Sequence, residues 1–279
     1  MKNLFFLPFD HRASFAEELL RTTYPVASRE ARRIRHLKRI IFSGFIEVYR
    51  NSKKKEEFAI LVDEEFGKKI LKSARRKKIA FALTTEQSGG ESLAFEYSDA
   101  LSDHLKRFRP TYAKVLIRYA PEKQETHARI HKRLKELQMI ARDLHIKILI
   151  EILVKGSKPK YQLLIDAIKN LQQDGILPDL WKVEGLNSTK EWQQVARATE
   201  IPLIVLGRGA SKKQVRTWIQ TAAKSGVVSG MAIGRTIFMP TLTLYEKKRI
   251  SKKEAIRQIA QEFSESIEMW KKTQKKASK

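Results

Sequence analysis

Apolar residues in this chain gather in eight short runs, a few of them interrupted by a charge. They occupy residues 4–10 (LFFLPFD), 58–62 (FAILV), 79–85 (IAFALTT), 112–119 (YAKVLIRY), 147–154 (KILIEILV), 180–185 (LWKVEG), 202–207 (PLIVLG) and 228–234 (VSGMAIG). None alternates strictly between apolar and polar, which predicts parallel strands covered on both faces. The stretches between them repeat at helical spacing. In residues 29–45, Ile34, Leu37, Ile41 and Phe45 share one stripe, and the basic residues mostly fall on the solvated side. Near the C-terminus Ile259, Phe263, Ile267 and Trp270 form a second stripe. Ser188 with Glu191 and Ser251 with Glu254 read as capping boxes. Gly175 and Gly226 fall where helices should close.

Eight strand–helix units in about 250 residues predict a (β/α)8 barrel over residues 1–270, with a basic disordered tail at 271–279. An open doubly wound sheet is the alternative. No stretch reads as an interdomain linker.

The chain has 279 residues, no cysteine and a formal net charge of +25. Disulfide and thiolate chemistry are excluded. No apolar run approaches the ~20 residues that span a bilayer, and the N-terminal block lacks a small-residue cleavage site, so a cytoplasmic protein is the simplest reading. The positive charge raises the question of polyanions. Basic runs at 29–39, 53–55, 75–78 and 271–279 lack interleaved aromatics, so no specific nucleic-acid partner is expected. No membrane partner is expected either, and a homo-oligomer is compatible with these totals.

Active sites of such barrels lie where strands end. There the sequence places Asp10-His11-Arg12, Asp63-Glu64-Glu65, Glu86-Gln87-Ser88-Gly89, Lys114 with Arg118, Glu151, Lys182 with Glu184, Gly207-Arg208-Gly209 and Gly234-Arg235. Side chains alternate along a strand, so Lys182 and Glu184 face one way and Trp181 and Val183 the other. The apolar pair suits the helix layer, which sends Lys182 and Glu184 inward. A buried charge needs partners. Lysines and carboxylates converging there would satisfy one another, and an amine so placed can attack a carbonyl to form a Schiff base. Glu151, one strand away, is then the candidate proton shuttle. An ion-pair network that only fills the barrel is the competing reading. The glycine–arginine pairs after the last two strands fit phosphate, since glycine admits the anion to the backbone and arginine grips it in a fork. Metal ligation is not expected: among six histidines only His11 ends a strand, and His127 and His131 sit on a basic helix. No cofactor is implied.

Several motifs resemble one family. They are Pro8-Phe9-Asp10-His11-Arg12, Leu61-Val62-Asp63-Glu64-Glu65-Phe66-Gly67, Phe95-Glu96-Tyr97, Ala113-Lys114-Val115-Leu116-Ile117-Arg118-Tyr119, Trp181-Lys182-Val183-Glu184-Gly185, Val205-Leu206-Gly207-Arg208-Gly209-Ala210 and Ala232-Ile233-Gly234-Arg235. The family is the aldolase-like domain fused behind the sugar kinase in bifunctional 5-dehydro-2-deoxygluconokinase of inositol catabolism. It is in turn similar to the class I tagatose-1,6-bisphosphate aldolases. The resemblance implies Lys182 as the Schiff-base lysine and Glu151 as the shuttle. It implies substrate contacts from Lys114 and Asp10, and phosphate held by Gly234 and Arg235. Arg12, Glu86, Arg118, Gly207, Arg208 and Gly209 complete the expected binding set. Where the family carries Glu-Lys-Ser-Gly, this chain has Glu86-Gln87-Ser88-Gly89, and its loop after Val154 is less rich in proline. No stretch reads as the kinase portion. The expectation is a metal-independent aldolase for a phosphorylated keto-sugar. A phosphosugar-binding barrel without turnover and a basic nucleic-acid-associated protein are the alternatives.

Overall fold

The computed structural model describes residues 3–90, 93–120 and 124–277. Eight parallel strands close into a barrel in sequence order. They are β1 (Leu4–Pro8), β2 (Phe58–Val62), β3 (Ala80–Thr84), β4 (Tyr112–Tyr119), β5 (Lys147–Val154), β6 (Leu180–Glu184), β7 (Leu203–Leu206) and β8 (Gly230–Ala232). All eight apolar runs became strands, within two residues at most ends. The open-sheet alternative is thereby excluded.

The helices surround this barrel. A single turn, α1 (Ala13–Phe15), widens into a π-helical turn, Ala16–Leu20. Then come α2 (Ser28–Asn51), α3 (Glu64–Arg76), α4 (Leu101–Phe108), α5 (Gln124–Asp143), α6 (Lys160–Gln173), α7 (Thr189–Ala196), α8 (Lys212–Ser225), α9 (Arg235–Glu246) and α10 (Lys252–Ala277). Strand alternation divides the core into two layers. Phe5, Leu7, Trp181 and Val183 face the helices and join their apolar stripes, Ile34, Leu37, Ile41 and Phe45 among them. Phe6, Leu61, Tyr112, Leu149, Leu180 and Ile204 face inward and plug the lower barrel. That plug leaves only the upper end open for chemistry.

Ser188 and Glu191 form the reciprocal capping box. At Ser251 only half of one forms: the hydroxyl accepts from Glu254 N–H, while the Glu254 carboxylate turns to Arg257 and Gln258. Helix α8 closes on Gly226 in the left-handed conformation, and Gly175 does the same just beyond α6.

The tail departs from expectation. Residues 271–277 continue α10 as helix, and 278–279 lie outside the described residues. The helix persists because Trp270 is fully buried against Phe5, with its indole N–H on Asn3, and because Lys271 reaches Glu57 at 2.8 Å.

Candidate active site

The upper layer of inward positions is polar. Thr84, Lys114, Glu151 and Lys182 sit on four successive strands, with Lys114 paired across the sheet to Thr84 and Glu151 to Lys182. One period-2 step above the apolar plug, each side chain must therefore point into the mouth. Lys182 Nζ donates to Glu151 Oε2 at 2.7 Å. Lys114 Nζ lies 3.0 Å from the same oxygen, 3.1 Å from Asp10 Oδ2 and 2.5 Å from Glu86 Oε1. Thr84 donates its hydroxyl to Asp10 at 3.1 Å. All five charged groups are buried. This is a two-lysine, three-carboxylate network in which each charge has a partner, the condition for keeping ions from water.

The network moves its members' pKa values. Burial would raise the Asp10 carboxyl, but Lys114 foremost, with His11 and Lys182, holds it well below the usual range. Glu151 is likewise raised by burial and, on balance, lowered by Lys114 and Lys182. Burial would lower the Lys114 ammonium, yet Asp10, Glu151 and Glu86 drive it far above its ordinary value. Lys114 is thus a permanent cation. Burial pushes His11 down to about 4, so its imidazole is neutral near pH 7.

A cavity of 380 Å³ opens above this network. All twelve residues expected at the site line it: Asp10, Arg12, Glu86, Lys114, Arg118, Glu151, Lys182, Gly207, Arg208, Gly209, Gly234 and Arg235. Gly207 to Ala210 form a tight turn, closed by Ala210 N–H on the Gly207 carbonyl at 2.9 Å. Both central residues, Arg208 and Gly209, are left-handed. A Cβ at Gly209 would stand 2.8 Å from the Arg235 guanidinium, so glycine there lets the two arginine loops meet. A Cβ at Gly234 would stand 2.1 Å from the Pro8 carbonyl oxygen.

The rim arginines hold internal acceptors. Arg12 binds Glu96 at 2.7 Å and the Glu86 carbonyl. Arg208 binds Glu184, Arg235 binds Glu18, and Arg118 donates to the Gly90 carbonyl at 3.0 Å. An anion entering the mouth therefore competes with carboxylates already in place.

One placement corrects the sequence reading. Glu184 is fully buried but does not line the cavity. Its carboxylate accepts the Val154 N–H at 3.0 Å and pairs with Arg208, so it ties β5 and β6 to the β7 loop. A bond to backbone at the strand end took the side chain that alternation alone would aim inward.

Other contributors lie outside the expected set. Lys38, on a helix whose basic residues were expected mostly on the solvated face, is fully buried, pairs with Asp63 and lies over Phe15 and Phe66. Its position between Leu37 and Ile41 on the apolar stripe was the available signal. Asp63 also caps α3 through Phe66 N–H at 2.7 Å. After β3 the chain folds back, bridging Glu86 to Phe95 and delivering Glu96 to Arg12. Gln87, where the resembling family has lysine, lines the cavity and donates to the Phe95 carbonyl at 3.3 Å.

A closed barrel of eight parallel strands with helices between them is a (β/α)8 fold, and solved structures share that fold. A structure described as Schiff-base-forming fructose-1,6-bisphosphate aldolase superposes with a TM-score of 0.56 at 13% identity, covering 93% of each chain. An archaeal fructose 1,6-bisphosphate aldolase gives 0.55 at 14%, covering 94% of this chain and 93% of the other. Cgl0159 of Corynebacterium glutamicum gives 0.59 at 14%, covering 94% and 85%. At these identities the likeness is one of fold. The chain itself belongs to the DUF2090 family, described as an uncharacterized protein conserved in bacteria, which matches residues 1–274. Comparison with curated proteins finds no match. No helix among the described residues is long and apolar enough to cross a membrane.

Proposed function

We propose that this barrel is a class I, Schiff-base aldolase acting on a phosphorylated keto-sugar and releasing dihydroxyacetone phosphate and an aldehyde. The observation that carries the reading is the Lys182 amine, buried in the mouth 2.7 Å from Glu151, with two glycine–arginine loops on the same cavity. The Schiff-base chemistry named for one fold neighbour supports it, as does the sequence resemblance.

Attack needs the free amine. Glu151 accepts the Lys182 proton, and the amine adds to the ketone to give a carbinolamine. Glu151 returns the proton to the carbinolamine hydroxyl, water leaves, and the protonated imine forms. That cation withdraws electrons from the adjacent C–C bond. Glu151, ionised again, takes the proton from the substrate hydroxyl, and the C–C bond breaks to leave the aldehyde and an enamine. Reprotonation at carbon and addition of water release the ketone and restore Lys182. Asp10 and Lys114 hold the substrate hydroxyls. Arg208 and Arg235 bind the phosphate, with Arg12 and Arg118 along its other side, while Glu86, paired with Lys114, faces the sugar. The resemblance favours 2-deoxy-5-keto-gluconate 6-phosphate.

Gln87 favours a second reading, a barrel that binds phosphosugars without turnover, because the resembling family has a cation there. A coupled assay for dihydroxyacetone phosphate across a panel of phosphorylated keto-sugars separates the two. Release abolished in Lys182→Met supports the aldolase. Sugar-induced thermal stabilisation without release supports the binding protein.

A further inference from the structure

The barrel's two ends differ in charge. The end opposite the candidate site is built from helix C-termini and the connections into the strands. Five neighbouring segments there, residues 50–57, 75–78, 106–111, 142–147 and 271–276, hold seventeen basic and three acidic residues. Contacts weld them into one surface. Lys271 joins α10 to the connection before β2 through Glu57 at 2.8 Å. Arg75 donates to the Arg107 carbonyl at 2.8 Å, and Lys147 N–H to the Thr111 carbonyl at 3.2 Å. Lys53, Arg76, Lys77, Lys78, Arg109 and Lys147 are exposed and make no ion pair with any described residue.

Basic residues suit helix C-termini, where the dipole is negative. That account applies equally to the other three connections of the same end, residues 173–179, 197–202 and 224–229. Those hold two basic and three acidic residues. The excess is confined to one sector, so the dipole does not explain it. Concentrated, unpaired positive charge over several adjacent loops is a footprint for a polyanion. The large exposed apolar side chains, Met139, Leu177 and Leu244, belong to none of the five segments, so the sector has nothing to insert into a bilayer. It also presents no exposed aromatic to stack on bases.

We propose that this sector binds the phosphodiester backbone of nucleic acid without reading its sequence, on the end of the barrel away from the catalytic cavity. The inference stands independently of the aldolase reading. The test is fluorescence anisotropy with a labelled 30-nucleotide single-stranded RNA of mixed sequence, between 50 and 200 mM NaCl. Wild type binds, and affinity falls steeply with salt, with a log–log slope of about −3 for four or five neutralised phosphates. Lys53→Glu/Arg76→Glu/Lys77→Glu weakens binding at least about tenfold. The control Lys190→Glu/Lys213→Glu/Lys253→Glu, with the same change in net charge at exposed positions elsewhere, keeps it within about twofold. Matching circular dichroism melts of both variants establish that each is folded. Three outcomes overturn the proposal: no binding at 50 mM salt, equal losses in the two variants, or tighter association with phosphatidylserine vesicles than with RNA.

Discussion

Replacing Lys114 with methionine removes the one cation shared by three carboxylates. Its ammonium stands 2.5 to 3.1 Å from Glu86, Glu151 and Asp10, all buried. At an effective dielectric near 20, a pair at about 3 Å is worth about 5 kcal/mol before desolvation. Desolvation offsets most of that, but leaving carboxylates buried without their partner costs about 3–5 kcal/mol. For 279 residues the unfolding entropy is about 0.6 kcal/mol/K, which converts the loss to about 5–9 °C in Tm. The pH dependence adds a sign. In wild type Asp10 and Glu151 have lowered pKa values, so their contribution is present above about pH 4.5 and is lost as pH falls below it. Without Lys114 burial dominates and raises them, so the variant's folded state takes up protons first and the gap to wild type narrows between pH 7 and 4. Circular dichroism melts at both pH values measure this. Lys114→Met/Glu86→Gln should recover about 1–2 kcal/mol. A Lys114→Met cost below about 1 kcal/mol, or no recovery in the double variant, would refute the shared-cation account.

His11, held at about 4 against 6.5 when unfolded, must charge in the unfolded state first, so acidification across that window costs up to roughly 3 kcal/mol. His11→Asn should flatten the urea-denaturation profile between pH 6.5 and 4. Gly234→Ala places a methyl 2.1 Å from the Pro8 carbonyl oxygen and should destabilise by at least about 2 kcal/mol, read as a lowered Tm. Glu18, partly exposed, competes with anions for Arg235, so Glu18→Gln should tighten inorganic phosphate binding severalfold by calorimetry. Unchanged or weaker binding would count against Arg235 as a phosphate ligand.

The barrel was legible because buried parallel strands need continuous apolar runs, and eight of them followed in sequence. The polar mouth was legible for a related reason: lysine at 114 and 182 and glutamate at 151 interrupt such runs at inward positions, which only mutual pairing tolerates. What escaped was non-local. The fold-back that brings Glu96 to Arg12 depends on one bridge, Glu86 to Phe95. The pairing of Glu18 with Arg235 joins residues more than two hundred positions apart through a π-helical turn. Glu184 obeys a backbone hydrogen bond that no periodicity reports. Lys38 was hidden by its charge, although its stripe was apolar.

Borohydride reduction in the presence of dihydroxyacetone phosphate, followed by peptide mass spectrometry, tests the central claim most directly. The reduced ligand should be found covalently attached to the peptide containing Lys182, and Lys182→Met should carry none. An unmodified protein that still binds the phosphate, or a label on Lys114 instead, would contradict it.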